Sequence, residues 1–526
     1  MINKKGIDMI DYTNQDFIPQ PEHDKIQLTV FYTNDTHGDV NRAVKLKSAH
    51  DNFRKKNKRQ NSLTLAAGDL YLGSNDARNS AMTKIYNFIE LDYNTLGNHE
   101  YDAGSDKLAD LLKSSKFKTV ATNINIPPQN KLSERLKDKK LVKSDICMKN
   151  GTRFGILGVS PSDKEVDVKS ENKVSVLSLD DTIKLLNEEA EKLEAQGVNK
   201  IILLSHSGYG ENGDLKIAKQ TQGIDIIIGG HTHTELRGAE KKGEKTNLVY
   251  SKRCEPVIIT QAGSDNTNVG YLDVLFDKRG VIEEDKINNT LVNLSEYKKS
   301  KKTENILKKA LGKNEVIAKV TVPFIPSCED DERKAENPVA DILADGMLNR
   351  GKYYGTEVAF FNAPSMKSSE IKDEIMTYDI KFRMLPYDDD VLVAPLTEKQ
   401  FVELLNAEAK TIITKDNSQI LHCAGMKYTI DRNKAKKGEI CVENVCILDE
   451  NGNTARIIDT KNPDENKFVI CGMNKFLFAE NRLKSILKEI PESEIKYIGN
   501  QQEIFISQIK LKGELRAVKD GRLTVK

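Results

Sequence analysis

The chain has no tryptophan, and its 526 residues include only eight histidines and seven cysteines. No run of about 18 apolar residues occurs, so no transmembrane helix is expected. Net charge is nearly absent, with 80 basic side chains against 79 acidic ones. That balance excludes a global field of the kind that draws a protein to nucleic acid or to an anionic membrane. Cys147, Cys254, Cys328, Cys423, Cys441, Cys446 and Cys471 form no CxxC pair and are odd in number. Reduced, mostly buried thiols are expected, not a disulfide framework or a zinc knuckle. Residues 1–25 read as a polar extension without an apolar h-region of about 7–15 residues. As written, the sequence predicts a cytoplasmic protein; the alternative is a periplasmic or secreted one whose signal is missing.

A chain this long exceeds one core and predicts two domains. Short apolar runs at 26–32, 63–67, 119–122, 154–159, 200–204, 225–228 and 256–260 alternate with helical stretches. Continuous Ile/Val/Leu runs of this length suit strands buried on both faces. Ile183, Leu186, Ala190 and Leu193 share one helical face, with Ser178 or Asp180 as N-cap. The basic stretch 297–313 reads as a solvated linker helix ending the first domain. A second α/β unit follows. Asn337-Pro338 opens a helix with Val339, Ile342, Leu343 and Met347 inward, and another helix is expected at 398–409. Strand-like runs stand at 357–361, 391–394 and 426–430.

Chemistry-bearing residues appear where the apolar runs stop. Asp35 and His37 follow the first run and Asp69 the second; Asn98, His99 and Asp102 lie in Gly-Asn-His-Glu-Tyr-Asp. His206 follows the run at 200–204, and His231 and His233 that at 225–228. In open α/β sheets, ligands bind beyond the carboxyl ends of strands. Imidazole, carboxylate and carboxamide together suit divalent cations such as zinc, iron or manganese. In D-x-H and H-x-H, alternate residues of an extended segment point the same way, so both side chains can meet one centre. The adjoining glycines permit close backbone approach. Five of the eight histidines lie in these clusters. His23, His50 and His422 lack such context and are expected to be surface or satisfied histidines.

These blocks resemble the calcineurin-like metallophosphoesterase superfamily, whose ordered signature is D-x-H, G-D, G-N-H-[DE], H and G-H-x-H. GNHEYDAG is more narrowly similar to the 5′-nucleotidase family, as are HCAGMKYTID (422–431) and LPYDDDVLVAPLT (385–397) in the second half. The resemblance implies an α/β chain with an N-terminal four-layer β-sandwich flanked by helices and a C-terminal α/β substrate domain. Its divisions would be a catalytic domain at 26–290, a linker helix at 291–315 and a substrate domain at 316–526. Two divalent ions (zinc, manganese, cobalt, iron or magnesium) would be held, one by Asp35, His37, Asp69 and His233, the other by Asp69, Asn98, His206 and His231. His99 and Asp102 would form a catalytic dyad, Asp102 orienting His99 and keeping it cationic. The implied reaction is attack of a metal-bridging hydroxide on a nucleoside monophosphate.

The resemblance also implies a nucleotide clamp in the second domain, where this sequence departs from the family. Asn362 and Tyr387 have counterparts there, but the arginine of N-G-G-x-x-R is Lys367, a point charge without the guanidinium fork. The preceding glycines are replaced by Ala363-Pro364-Ser365, and Arg333 is out of register. Phe476 or Phe478 is the candidate second ring, with core packing the alternative. The substrate reading therefore keeps alternatives: cyclic nucleotides, nucleotide-sugars or another phosphate ester. A reading of another class, a non-catalytic partner-binding protein with a degenerate second domain, also stays open.

Overall fold

The computed structural model describes residues 25–162, 166–167, 169–237, 247–324, 334–362, 371–385, 387, 389–413, 420–479, 484–487 and 490–526. The first half is built from two sheets. The first contributes β1 (Lys25–Thr33), β2 (Ser62–Ala66), β3 (Tyr93–Asn94), β4 (Lys118–Val120) and β5 (Leu141–Val142). The chain then crosses to the second sheet for β6 (Ser144–Lys149), β7 (Thr152–Val159), β8 (Ile201–Ser205), β9 (Ile226–Gly229), β10 (Leu248–Tyr250) and β11 (Pro256–Thr260). It returns with β12 (Asn268–Asp277) and β13 (Asn288–Asn293). The sheet orders are β13-β12-β1-β2-β3-β4-β5 and β10-β11-β9-β8-β7-β6. The strands carrying the candidate ligands, β1 to β3 and β8 to β9, run parallel to their ligand-bearing neighbours. Their carboxyl ends therefore fall on one rim.

Strand alternation sorts the apolar runs into layers. Leu28, Val30, Ile202, Leu204, Ile226 and Ile228 point into the core between the sheets. Ile201, Leu203 and Ile227 point outward to the helix layer of the second sheet. Phe31 does the same on the first sheet. The result is a four-layer helix–sheet–sheet–helix sandwich, and it explains why these strands lack polar alternation: both faces are covered.

Helices α1 (Val40–Lys56) and α2 (Asp76–Phe88) follow the loops after β1 and β2. Asp39 caps α1 by accepting from the Asn41 and Arg42 amides, and Asn75 caps α2 through the Arg78 amide. On the other side, α3 (Leu179–Ala195) is capped by Ser178 and buries Ile183, Leu186, Ala190 and Leu193, the face read from the sequence. The basic stretch forms α4 (Lys301–Leu311), which seats Leu307 in the core shared with α1 and α2. It is thus half embedded, because its single apolar stripe meets the outer layer of the first sheet.

In the second half, α5 (Pro338–Gly351) starts at the Asn337 cap with Val339, Ile342, Leu343 and Met347 buried. A capping box of Thr397 and Gln400 starts α6 (Glu398–Ala409). A five-stranded sheet runs in the order Leu421–Ala424, Val358–Asn362, Phe468–Asn474, Asp390–Thr397, Lys496–Asn500. Cores lie on both of its faces. The π-helical segment Asp379–Met384 carries Phe382 which, with Tyr378, packs into the first half's core. Across that junction Asn41 Nδ2 donates to Asp379 Oδ1 at 2.9 Å. Among the described residues no helix is long and apolar enough to cross a membrane.

Two histidines differ from expectation. His50 and His422 are both buried, and each is only half satisfied: His50 Nε2 meets Thr64 Oγ1 and His422 Nδ1 accepts from the Asn337 amide. Burial pushes both imidazoles down to about 3, so they are neutral core groups. His23, Cys328 and Arg333 lie outside the described residues. The described cysteines are free thiols, with Cys423, Cys441 and Cys471 buried.

Candidate metal centre

The five loops meet, but not through extended backbone. Asp35, His37, Asp69, His231 and His233 all have positive φ, between 46° and 78°. The alternation expected for D-x-H and H-x-H is therefore replaced by left-handed turns, which are costly for residues with a Cβ. Neighbouring loops hold these turns. The Asp35, His37 and Gly38 amides donate to the carbonyls of Gly68, Asp69 and Leu70 at 3.1, 2.9 and 3.1 Å, continuing the β1–β2 ladder past the strand ends. Glycine is required where the loops crowd the ligands: a Cβ on Gly97 would lie 2.1 Å from Asp69 Oδ1, and one on Gly68 or Gly230 would lie 2.6 or 2.8 Å from His206 Nδ1.

The side chains converge on two buried carboxylates. His206 Nε2 lies 3.0 Å from Asp69 Oδ2 and 3.6 Å from Asp35 Oδ1. His37 Nε2 lies 3.4 Å from Asp69 Oδ2 and 3.9 Å from Asp35 Oδ1. His233 Nε2 stands 3.3 Å from Asp35 Oδ1. The His231 ring is 5.2 Å from that of His206, and the His233 ring 5.0 Å from that of His37. Three overlapping groups close enough to hold an ion result: Asp35/His37/His233, Asp35/Asp69/His206 and His37/Asp69/His99.

The donor chemistry fits divalent cations. His206 Nδ1 is taken by the Ala67 carbonyl at 2.6 Å and His37 Nδ1 by Asp265 Oδ1 at 3.0 Å. Each ring therefore turns Nε2, its lone-pair nitrogen, toward the carboxylates. Asn98 Oδ1 is buried yet makes no hydrogen bond, and His206 Nε2 faces only the carboxylates, as expected of atoms shaped for an ion. Burial works against charge on His206 and His37, but the facing carboxylates outweigh it and hold both up to about 10. Burial would likewise raise Asp69; His206 and His99 pull it well below the usual carboxylate range. These couplings mark a site that concentrates negative charge and releases protons when a cation enters.

The dyad sits beside this cluster. His99 Nδ1 lies 2.8 Å from Asp102 Oδ2, which also accepts the Gly73 amide at 2.6 Å. The His99 amide donates to Asp69 Oδ1 at 2.8 Å, tying dyad and cluster together. Three supporting residues escaped the sequence reading. Asp265 holds His37 and follows β11, so the strand-end rule applied once more would have flagged it. Glu100 accepts the amides of Asp69, Leu70 and Gly97. Arg78 is a fully buried cation nearby with no motif to announce it.

Of the candidate substrate residues, Tyr387 comes to the first half's loops, its ring atoms 3.4 Å from where a side chain on Gly73 would begin. Asn362 ends its strand inside the second half, its Oδ1 accepting from Asn474 Nδ2 at 2.7 Å. Lys367 and the loop before it lie outside the described residues. Phe478 packs against the second half's core, whereas Phe476 is 40% exposed.

Comparison with known proteins accords with this arrangement. Residues 28–235 match the family model for calcineurin-like phosphoesterases, and residues 316–464 that for the 5′-nucleotidase C-terminal domain. The trifunctional nucleotide phosphoesterase YfkN of Bacillus subtilis is 27% identical over 97% of this chain and 36% of its own length. The snake venom 5′-nucleotidase of Crotalus adamanteus is 31% identical over 51% of this chain and 48% of its own. This chain thus spans half or less of each of these two relatives. The crystal structure of a 5′-nucleotidase precursor from Thermus thermophilus superposes with a TM-score of 0.67 at 25% identity, over 95% of this chain and 99% of that one. The family implies divalent metal ions, and the donors gathered at the strand ends fit them. The chain belongs to the calcineurin-like metallophosphoesterase superfamily, in its two-domain 5′-nucleotidase family.

Proposed function

We propose that this chain is a dinuclear-metal phosphoester hydrolase releasing phosphate from nucleoside 5′-monophosphates. Residues 26–290 form its catalytic domain, 291–315 its linker helix and 316–526 its substrate domain. The observation that carries the reading is the dyad tied directly to the carboxylate–imidazole cluster, through the His99 amide on Asp69 Oδ1 at 2.8 Å. Asp35, His37, Asp69 and His233 would hold one cation, and Asp69, Asn98, His206 and His231 the other, with Asp69 shared. Cations held by these residues would supply Lewis acidity, activating water near neutral pH and neutralising phosphate oxygens.

The chain's own residues do the rest. His99, with Nδ1 held by Asp102, turns Nε2 to the substrate and gives its proton to the leaving oxygen. Asp102 is itself held by the Gly73 amide, so the imidazole needs no reorientation during the reaction. Asp265 and the Ala67 carbonyl keep His37 and His206 in the tautomers that leave Nε2 free to bind. Tyr387 reaches the dyad side through Gly73, whose amide holds Asp102.

The test is a panel of phosphoesters given to chelated protein after manganese, cobalt or zinc is added back. Nucleoside 5′-monophosphates should release phosphate fastest, and only with metal present. Faster cleavage of a cyclic nucleotide or nucleotide-sugar would move the substrate assignment; no hydrolysis with any metal would remove the enzyme reading.

A further inference from the structure

Beside the ligand loops lies a buried cation that neither the metal cluster nor the dyad uses. Arg78, in the first turn of α2, is 0% exposed. Its Nη2 donates to the Leu72 carbonyl, while Nε and Nη1 make no hydrogen bond. Burial pulls it down to about 10, opposed by the charges of Tyr387, Asp102 and Asp39. A buried guanidinium with two idle donors is unfavourable unless an anion completes it at some stage.

Its location indicates which anion. Nε lies 3.1 Å from where a side chain on Gly38, the neighbour of His37, would begin. Nη2 lies 3.5 Å from the same point on Gly73, whose amide holds Asp102. The guanidinium thus lies beside both the loop that carries His37 and the loop whose Gly73 amide holds Asp102. The second half covers its outer side: the Phe382 ring is 5.6 Å away, and Tyr387 abuts the same Gly73.

We propose that Arg78 is a substrate-binding residue whose Nε and Nη1 receive phosphate oxygens of the phosphoester and of the product phosphate. The first domain thereby supplies the planar two-donor cation that the substrate domain has exchanged for Lys367. The anion reaches it when Phe382 and Tyr387 withdraw. Phe382 rides on the π-helical segment Asp379–Met384, a conformation concentrated at functional sites. This assignment rests on the phosphoester reading above.

The experiment compares manganese-loaded wild type with Arg78→Met and Arg78→Lys. It measures inhibition by inorganic phosphate, KM and kcat for a nucleoside monophosphate, bound metal and Tm. In Arg78→Met, the phosphate Ki and KM should each rise at least ~10-fold, the size of a charge-assisted hydrogen bond, with kcat falling by a smaller factor. Metal content should hold, and Tm should hold or rise, because an uncompensated buried charge has been removed. Arg78→Lys should fall between the two, and if the methionine variant does not fold, a shift of about threefold or more in the lysine variant's Ki carries the reading. An unchanged Ki with a lowered Tm overturns the assignment and makes Arg78 a structural pin. A wild type that neither cleaves phosphoesters nor responds to phosphate overturns the phosphoester reading, and this one with it.

Discussion

Glu100 Oε2 accepts the backbone amide of Asp69 at 2.8 Å. The same carboxylate takes the amides of Leu70 and Gly97, both at 2.7 Å. One buried side chain therefore sets the spacing between the loop after β2, which carries Asp69, and the loop after β3, which carries Asn98 and His99. Glu100→Gln keeps the shape but turns an amide donor toward amide donors. The expected outcome is metal affinity weakened about 10- to 100-fold, as for other supporting partners of metal ligands, read by metal titration with chelator competition. Wild-type affinity in the variant would show that the loops hold their spacing without it.

His99 and Asp69 separate chemistry from binding. His99→Ala should lower turnover by at least about 10² while leaving bound metal unchanged. Asp69→Ala should remove both, because the two proposed ligand sets share that carboxylate. Metal analysis beside steady-state rates checks the pair; loss of metal in His99→Ala would make His99 a ligand.

Asp265 meets His37 Nδ1 at 3.0 Å and is held down to about 2, burial opposing and His37 favouring its charge. Asp265→Asn leaves a hydrogen bond but removes the charge that supports the imidazole. Metal affinity should fall by about tenfold or more with the fold intact, as circular dichroism and titration would report.

A pH dependence of stability arises far from the metals. Burial raises the Asp341 carboxyl to about 9, with Arg522 opposing, and neither oxygen has a hydrogen-bond partner. The folded protein holds this proton more tightly than the unfolded chain, whose ordinary value is 3.8. Its contribution to stability is therefore complete below about pH 4 and declines as pH rises toward about 9. His422, held near 3, has the opposite sign: its contribution is complete above its ordinary value of 6.5 and is lost as pH falls. Asp341→Asn should remove the alkaline loss. Its Tm relative to wild type should increase by about 2 °C or more between pH 5 and pH 8.5, whereas parallel curves would place the titration elsewhere.

The sequence by itself named the candidate metal ligands. Asp35, His37, Asp69, Asn98, His206, His231 and His233 are legible because each stands directly after a buried strand or in a short motif, and strand patterning is local. The helix faces of α3 and α5 are legible for the same reason, as one periodicity read within one segment. The tertiary structure alone decided how those atoms meet: through left-handed turns stapled by neighbouring loops, not through extended segments. It also decided the parts played by Glu100, Asp265 and Arg78. His37 and Asp265 lie 228 residues apart, and Glu100 and Asp69 lie 31 apart. No periodicity links such positions; the parallel register of β2 with β1 and β3, and the antiparallel pairing of β12 with the end of β1, make them neighbours.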